Sequence, residues 1–336
     1  MMGERSFDAV VVGAGPAGEV CAGRLAENGL EGVDFWTNRQ ATTASDVPPR
    51  LVVIGGGVSG VELAQAWSSL GSDVTVVEGA RRLLPREEPF ACEQVTEALA
   101  ERGVDIRTGA RATSVRREDG AVVVALDGGE EAVGDRLLVA VGRRPRTQDL
   151  GLETVGLTPG EPVEVDRRMR ARDGPDWLYA VGDANARMLL THMGKYQGRI
   201  AADVILGRDA QAGAAAHGTL APRVVFTEPQ VAAVGHTLDS AREAGLRVRA
   251  VDYGVGDVAG GSFYGRGFPG TARLVVDEER QVLVGATFTG AEVAEFLHAA
   301  TIAVVGEVPL DDLWHSVPAF PTRSEVWLRL LETYGL

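Results

Sequence analysis

Short apolar runs, glycine-rich turns and helical periodicities follow one another along the chain, and their order repeats. Residues 8–13 (DAVVVG) form a β-branched run followed by a glycine turn and a helical pattern that ends near Gly29. Residues 50–55 (RLVVIG) restart the same series, which ends near Gly71. Sliding one copy by 42 positions aligns Gly13 with Gly55, Gly15 with Gly57, Gly18 with Gly60 and Gly29 with Gly71. The pattern predicts a repeated unit of strand, turn and helix.

The second copy runs on through a strand at DVTVVEG, a helix over 89–102 and short strands at VDIRT, ATSVRRE and AVVVALD, with Asp-Gly turn signals at 119–120 and 127–128. The uninterrupted apolar runs RLLVAVG (136–142) and WLYAVGD (177–183) read as strands buried on both faces, and 188–206 reads as a helix stopping at Gly207. A Gly- and Ala-rich stretch at 207–218 reads as a linker. Beyond it the pattern changes to strands at 223–227, 246–253, 271–276 and 281–288 mixed with helices at 238–244, 291–304 and 322–333. The fold class expected is therefore α/β of the Rossmann type in front, with an incomplete first copy, followed by an α+β rear domain.

Charge narrows the partners. The 336 residues include 33 Lys and Arg against 47 Asp and Glu, a net charge of −14, which argues against gripping a nucleic-acid backbone. Two cysteines, Cys21 and Cys92, make neither a disulfide framework nor a metal-binding thiolate cluster, so a cytoplasmic setting is expected. The five histidines show no HExxH spacing and no Cys partner, giving no support for a metal site. No apolar run reaches the roughly 18 residues a membrane helix needs, and no signal peptide is evident.

The segment VVIGGGVSG, followed by a helix and then DVTVVEG, is the strongest chemical signal. Gly55 permits a tight turn, Gly57 lets a pyrophosphate approach the backbone, and Gly60 allows the helix to pack closely on the strand. The helix start offers unpaired N–H groups to the phosphates. Glu78 stands 23 residues after Gly55, where a carboxylate can take both ribose hydroxyls, so NAD(H) is expected over NADP(H). Arg81 and Arg82 lie close enough to weaken that preference. Gly13, Gly15 and Gly18 make a first fingerprint of equal quality, but residues 30–50 are too few to complete its sheet. Asp183, after the apolar run at 177–182, is either a ligand-facing carboxylate at a strand end or a capping residue.

These residues together resemble the pyridine nucleotide–disulfide oxidoreductases, the FAD-dependent group that contains dihydrolipoamide dehydrogenase, glutathione reductase and mercuric reductase. The resemblance is carried by VVVGAGPAG (10–18), VVIGGGVSGVELAQAW (52–67), VVEGARRLLP (76–85), VAVGRRPR (139–146), YAVGDANARMLLTHMGKYQGR (179–199), VVFTEPQVAAVG (224–235) and FPTRSE (320–325). It implies that Gly13, Gly15 and Gly18 cradle FAD, that Gly55, Gly57, Gly60 and Glu78 hold NAD(H), and that Asp183 meets the flavin's ribityl region. Gly142 and Gly182 belong to the same cofactor-binding set. Glu62 matches an acidic residue near the nicotinamide, and Glu325 the acidic member of a catalytic His–Glu pair. The implied domains are a partial FAD-binding domain (1–49 and 147–210), an NAD-binding domain (50–146) and a C-terminal domain (220–336) that forms homodimers.

Three departures from that family alter the expected chemistry. The redox-active CxxxxC is missing, together with roughly a hundred residues of the first domain near residue 30. The histidine expected before Pro-Thr is Phe320, which carries no proton, so a thiol-protonating dyad cannot operate. The expected activity is thus NADH oxidation through FAD to a small-molecule acceptor other than a disulfide: a quinone, a dye or a second nicotinamide. The alternative is a catalytically inactive NAD(H)-binding dimer derived by loss of most of the FAD domain.

Overall fold

The run Leu51–Ile54 has no polar residue, and every one of its side chains is buried. A strand covered on both faces requires this. The computed structural model describes residues 33–213, 218–265 and 268–336. Its front region runs α1 (Asn38–Thr43), β1 (Arg50–Ile54), α2 (Val58–Ser69), β2 (Asp73–Glu78), α3 (Pro89–Glu101), β3 (Asp105–Thr108), β4 (Ala112–Glu118), β5 (Ala121–Leu126), β6 (Glu131–Gly134) and β7 (Arg136–Val139). The four strands β3-β2-β1-β7 form a parallel sheet in that order, the arrangement of a Rossmann half. β4, β5 and β6 form a separate antiparallel meander that serves as the crossover to β7.

Two cores hold this unit together, one on each face of the parallel sheet. Val61, Ala64 and Trp67 of α2 and Ala91, Val95 and Leu99 of α3 cover Leu51, Val53 and Val76. The meander residues Val115, Val122, Val124 and Leu126 cover Val52, Ile54, Leu137 and Val139 on the other side. The alternation of neighbours along β1 thus sends adjacent side chains to different cores. Residues before β1 belong to the same packing. Trp36 bridges Leu138 in parallel, its ring lies 5.1 Å from that of Trp67, and Ala41 joins the helix-side core.

The run 177–183 is a correction: it forms no strand. Tyr179 makes one isolated antiparallel bridge with Arg170, and Trp177 is 68% exposed. An apolar run becomes a strand only when a neighbour satisfies its backbone groups, and among the described residues no ladder runs beside this one. The helix that follows, α4 (Thr191–Ile205), begins later than position 188. The described part of the expected linker, residues 207–213, is more anchored than a free linker, since Ala212 is buried and its N–H donates to Arg167 O at 2.8 Å.

The rear domain contains β8 (Arg223–Val225), β9 (Gln230–Gly235), α5 (Leu238–Glu243), β10 (Val248–Gly254), β11 (Thr271–Asp277), β12 (Val282–Gly290), α6 (Leu297–Val305), α7 (Leu310–His315) and α8 (Glu325–Tyr334). Its sheet is antiparallel throughout, in the order β10-β11-β12-β9-β8. The sequence pattern missed β9, whose small apolar residues are buried between β12 and β8. It also merged a short 3₁₀ turn at Val293–Phe296 with α6 and overlooked α7.

The front and rear units meet along α3. Glu88 is buried there, accepting from Leu238 N at 2.8 Å and from Arg273 Nη1 at 2.9 Å, and Arg223 Nε donates to Glu87 at 2.7 Å. Charges this deeply buried are tolerated because each has an opposite partner.

Candidate functional site

The turn between β1 and α2 is shaped by three glycines with different tasks. Gly55 has φ +110°, and a Cβ there would sit 2.6 Å from Ala140 O. A Cβ on Gly60 would come within 1.8 Å of Gly55 O, so glycine is what lets the first turn of α2 lie against β1. Gly57 faces open space: nothing lies within 4 Å of an added Cβ. It is also the N-cap of α2, with no side-chain cap, so the N–H groups of the first helical turn face outward. The space in front of Gly57 and those donors are what a pyrophosphate needs.

Glu78 closes β2 beside this turn. Its two oxygens accept from Gly56 N at 2.5 Å and from Ala80 N at 2.6 Å, which fixes the carboxylate at the carboxyl end of the sheet. Each oxygen retains a lone pair for a further donor. Gly142, with φ +133° and open space where a Cβ would be, follows β7 at the same end of the sheet. The parallel order therefore brings Gly55, Gly57, Gly60, Glu78 and Gly142 to the carboxyl end of one sheet, the end at which open sheets bind ligands.

Glu62 lies one turn into α2 and reaches the rear domain. Its Oε1 accepts from Phe226 N at 2.7 Å, and Gln65 Oε1 accepts from Glu228 N at 2.7 Å. Two acceptors on one helix face thus meet two N–H groups of the bend that joins β8 to β9. Burial pushes the Glu62 carboxyl above its ordinary range, partly offset by the bond from Phe226. Sequence reading singled out Glu62 but missed Gln65, whose i+3 spacing from Glu62 was the available signal.

Asp183 lies in a short 3₁₀ turn, Gly182–Asn185, instead of at a strand end. Its Oδ2 is buried and makes no hydrogen bond, with Arg143 Nη1 at 3.6 Å as its ionic neighbour. The turn is held from behind by α4: Gln197 Oε1 accepts from Gly182 N at 2.8 Å and from Asn185 Nδ2 at 2.9 Å. Neither Gln197 nor Arg143 was assigned from sequence, although both fall inside motifs that were noticed. Gly13, Gly15, Gly18 and Cys21 lie outside the described residues.

Glu325 opens α8 in the rear domain, with Oε2 buried and unpartnered, while Phe320 is 76% exposed. The position expected to hold an imidazole therefore presents an apolar ring. Cys92 is buried in the core, its thiol donates to Leu84 O at 3.2 Å, and burial pushes its pKa up to about 11. Such a thiol is not a nucleophile at neutral pH. His192 is exposed, with Nε2 2.9 Å from Pro222 O. Among the described residues no three His, Cys, Asp or Glu side chains lie close enough to hold a metal ion, and no helix is long and apolar enough to cross a membrane.

The comparisons with known proteins agree with this architecture. Residues 25–198 match the family model described as pyridine nucleotide-disulphide oxidoreductase, and residues 221–330 match the dimerisation domain of the same family. A dihydrolipoyl dehydrogenase of Thermus scotoductus is 34% identical over 300 residues, covering 88% of this chain and 64% of that protein. One from Bacillus subtilis is 33% identical over 296 residues, covering 87% and 62%. The chain thus spans less than two thirds of the length of these relatives. Among solved structures, LpdA from Mycobacterium tuberculosis superposes with a TM-score of 0.80 at 27% identity, covering 89% of this chain and 64% of that one. The water-forming NADH oxidase of Lactobacillus brevis, bound to NADH, shares the fold with a TM-score of 0.76 at 21% identity, covering 91% and 71%. With a Rossmann unit, an antiparallel rear sheet and both family models matched in order, the chain belongs to the pyridine nucleotide-disulphide oxidoreductase family, whose members are flavin-dependent oxidoreductases of pyridine nucleotides.

Proposed function

We propose that this chain is an FAD- and NAD(H)-dependent oxidoreductase that passes electrons from NADH to a small acceptor other than a disulfide. The observation that carries the reading is the pairing of an open phosphate turn at Gly55–Gly60 with a buried carboxylate oxygen on Asp183 that accepts no hydrogen bond. The residues present fit both cofactors. Gly57 leaves room for a pyrophosphate, Glu78 offers lone pairs to ribose hydroxyls, and Asp183 Oδ2 offers an acceptor to a hydroxyl-bearing chain.

Flavin, when bound, supplies the hydride and electron chemistry. The protein's own residues bind and orient. The first turn of α2 holds phosphates through its N–H groups, and Glu62, anchored on Phe226 N, fixes that helix against the rear domain. The acceptor class follows from what is lacking. Phe320 cannot shuttle a proton, and Cys92 is buried and held protonated at neutral pH, so neither supports dithiol exchange. Quinones, dyes and a second nicotinamide need no such group.

The domain limits remain those read from sequence, with the NAD-binding unit extended back to Val33 on the strength of its packing. We also assign a homodimer built on the rear domain and a cytoplasmic location. The deciding experiment is an absorbance spectrum of the purified protein before and after anaerobic NADH. A visible flavin band that NADH bleaches is expected, and a colourless protein that takes up no added FAD defeats the proposal. The second reading, an NAD(H)-binding protein without flavin, is favoured by the 64% coverage of its relatives. Calorimetric NADH binding with no bound flavin would establish it.

A further inference from the structure

Two buried polar atoms around the Asp183 turn make no hydrogen bond: the acceptor Asp183 Oδ2, whose ionic neighbour Arg143 Nη1 lies 3.6 Å away, and the donor Gln197 Nε2. Buried groups without hydrogen-bond partners are few in folded proteins, and each calls for an explanation. Gln197 is fully buried on α4. Its orientation is set by chemistry, because the end that meets two donors, Gly182 N and Asn185 Nδ2, must be the oxygen. Asn185 Nδ2 also donates to Ala180 O at 3.0 Å, so one carboxamide ties down the residues on both sides of Asp183.

Glycine makes this approach possible. Gly182 has φ +64°, and a Cβ on Gly194 would sit 3.3 Å from Gly182 Cα. The helix therefore touches the turn backbone to backbone at 194, and Gln197, one turn further, reaches over to hold it.

We propose that Gln197 is the positioning residue of the Asp183 site, holding the turn so that Asp183 Oδ2 meets a polyhydroxylated chain, the chemical class of a flavin's ribityl group. A hydroxyl of such a chain donates to a carboxylate oxygen, so it satisfies Asp183 Oδ2. This inference rests on the flavin reading above and adds to it a residue and a task.

The test uses the whole chain with Q197M and Q197E. Affinities for FAD and for NADH are measured separately by fluorescence, and the visible circular dichroism of bound flavin reports its orientation. Q197M removes the acceptor that holds the turn with little change of volume, and is expected to weaken FAD about tenfold to a hundredfold while leaving NADH within about twofold. Q197E keeps an oxygen for Gly182 and Asn185, and is expected to recover most of the lost FAD affinity and the native dichroism. Unchanged FAD binding in Q197M overturns the assignment. So does a parallel loss of FAD and NADH binding, or a Q197M that fails to fold alongside a Q197E that folds but does not bind FAD. If the unaltered protein binds NADH and takes up no FAD, the flavin reading itself has failed, and Gln197 falls with it.

Discussion

Two turns in this chain are offered for nucleotide chemistry, and they are built in opposite ways. The Gly55–Gly60 turn has everything it needs within one contiguous stretch: β1 before it, α2 after it, and β2 and β7 pairing on either side. The Gly182–Asn185 turn follows a segment that, among the described residues, makes a single bridge; it draws its support from α4 and keeps polar atoms on Asp183 and Gln197 that make no hydrogen bond. A site assembled from neighbouring residues is completed by its own sheet. A site at the junction of distant segments shows its unfinished contacts as orphaned polar groups.

Replacing Gly60 by Val breaks the first turn most severely. Its side chain would have to enter space held by Gly55 O, so α2 must move off β1. NADH affinity is expected to fall at least about a hundredfold, and the melting temperature by several degrees, read by calorimetry and thermal denaturation. Asp183→Ala sharpens the contrast. FAD affinity should drop about tenfold to a hundredfold with NADH binding unaltered, and equal losses of both would show that the two turns are one site.

Glu78→Ala removes the acceptor for Gly56 N and Ala80 N as well as the ribose contact. About a tenfold loss of NADH affinity is expected, without change in bound flavin. The smallest effect concerns Glu62. Burial raises its carboxyl in the folded protein above the value it has when unfolded, so the folded state holds the proton more tightly. Stability from this group is therefore greatest when it is protonated and declines as pH rises from the ordinary carboxylate range through the raised value. Glu62→Gln, which keeps the bond from Phe226 N, should remove that decline. The melting temperature of the variant relative to the native chain should climb by about a degree or two over this window, then level off.

The glycine turn at 55–60, the strands on either side of it and the acid at 78 were readable because each follows from local sequence. Glycine spacing sets the backbone, an apolar run marks a strand covered on both faces, and the acid ends the next strand. The run at 177–183 has the same apolar character yet forms no strand among the described residues, since a strand is a property of a pair and an apolar run does not by itself specify its neighbour. β9 escaped notice for the converse reason: Val231, Ala232, Ala233 and Val234 are small, and only insertion between β8 and β12 makes them a strand.

Composition and motif order by themselves determined the family, the Rossmann front and the absence of a CxxxxC pair from the sequence, because those depend on residue type and spacing. Tertiary structure alone decided that Glu62 and Gln65 clasp the backbone of Phe226 and Glu228, that Cys92 is buried beyond reach, and that Gln197 stands behind Asp183. Burial and hydrogen-bond partnership arise between residues far apart in the chain, and no local pattern encodes which distant donor a side chain will meet.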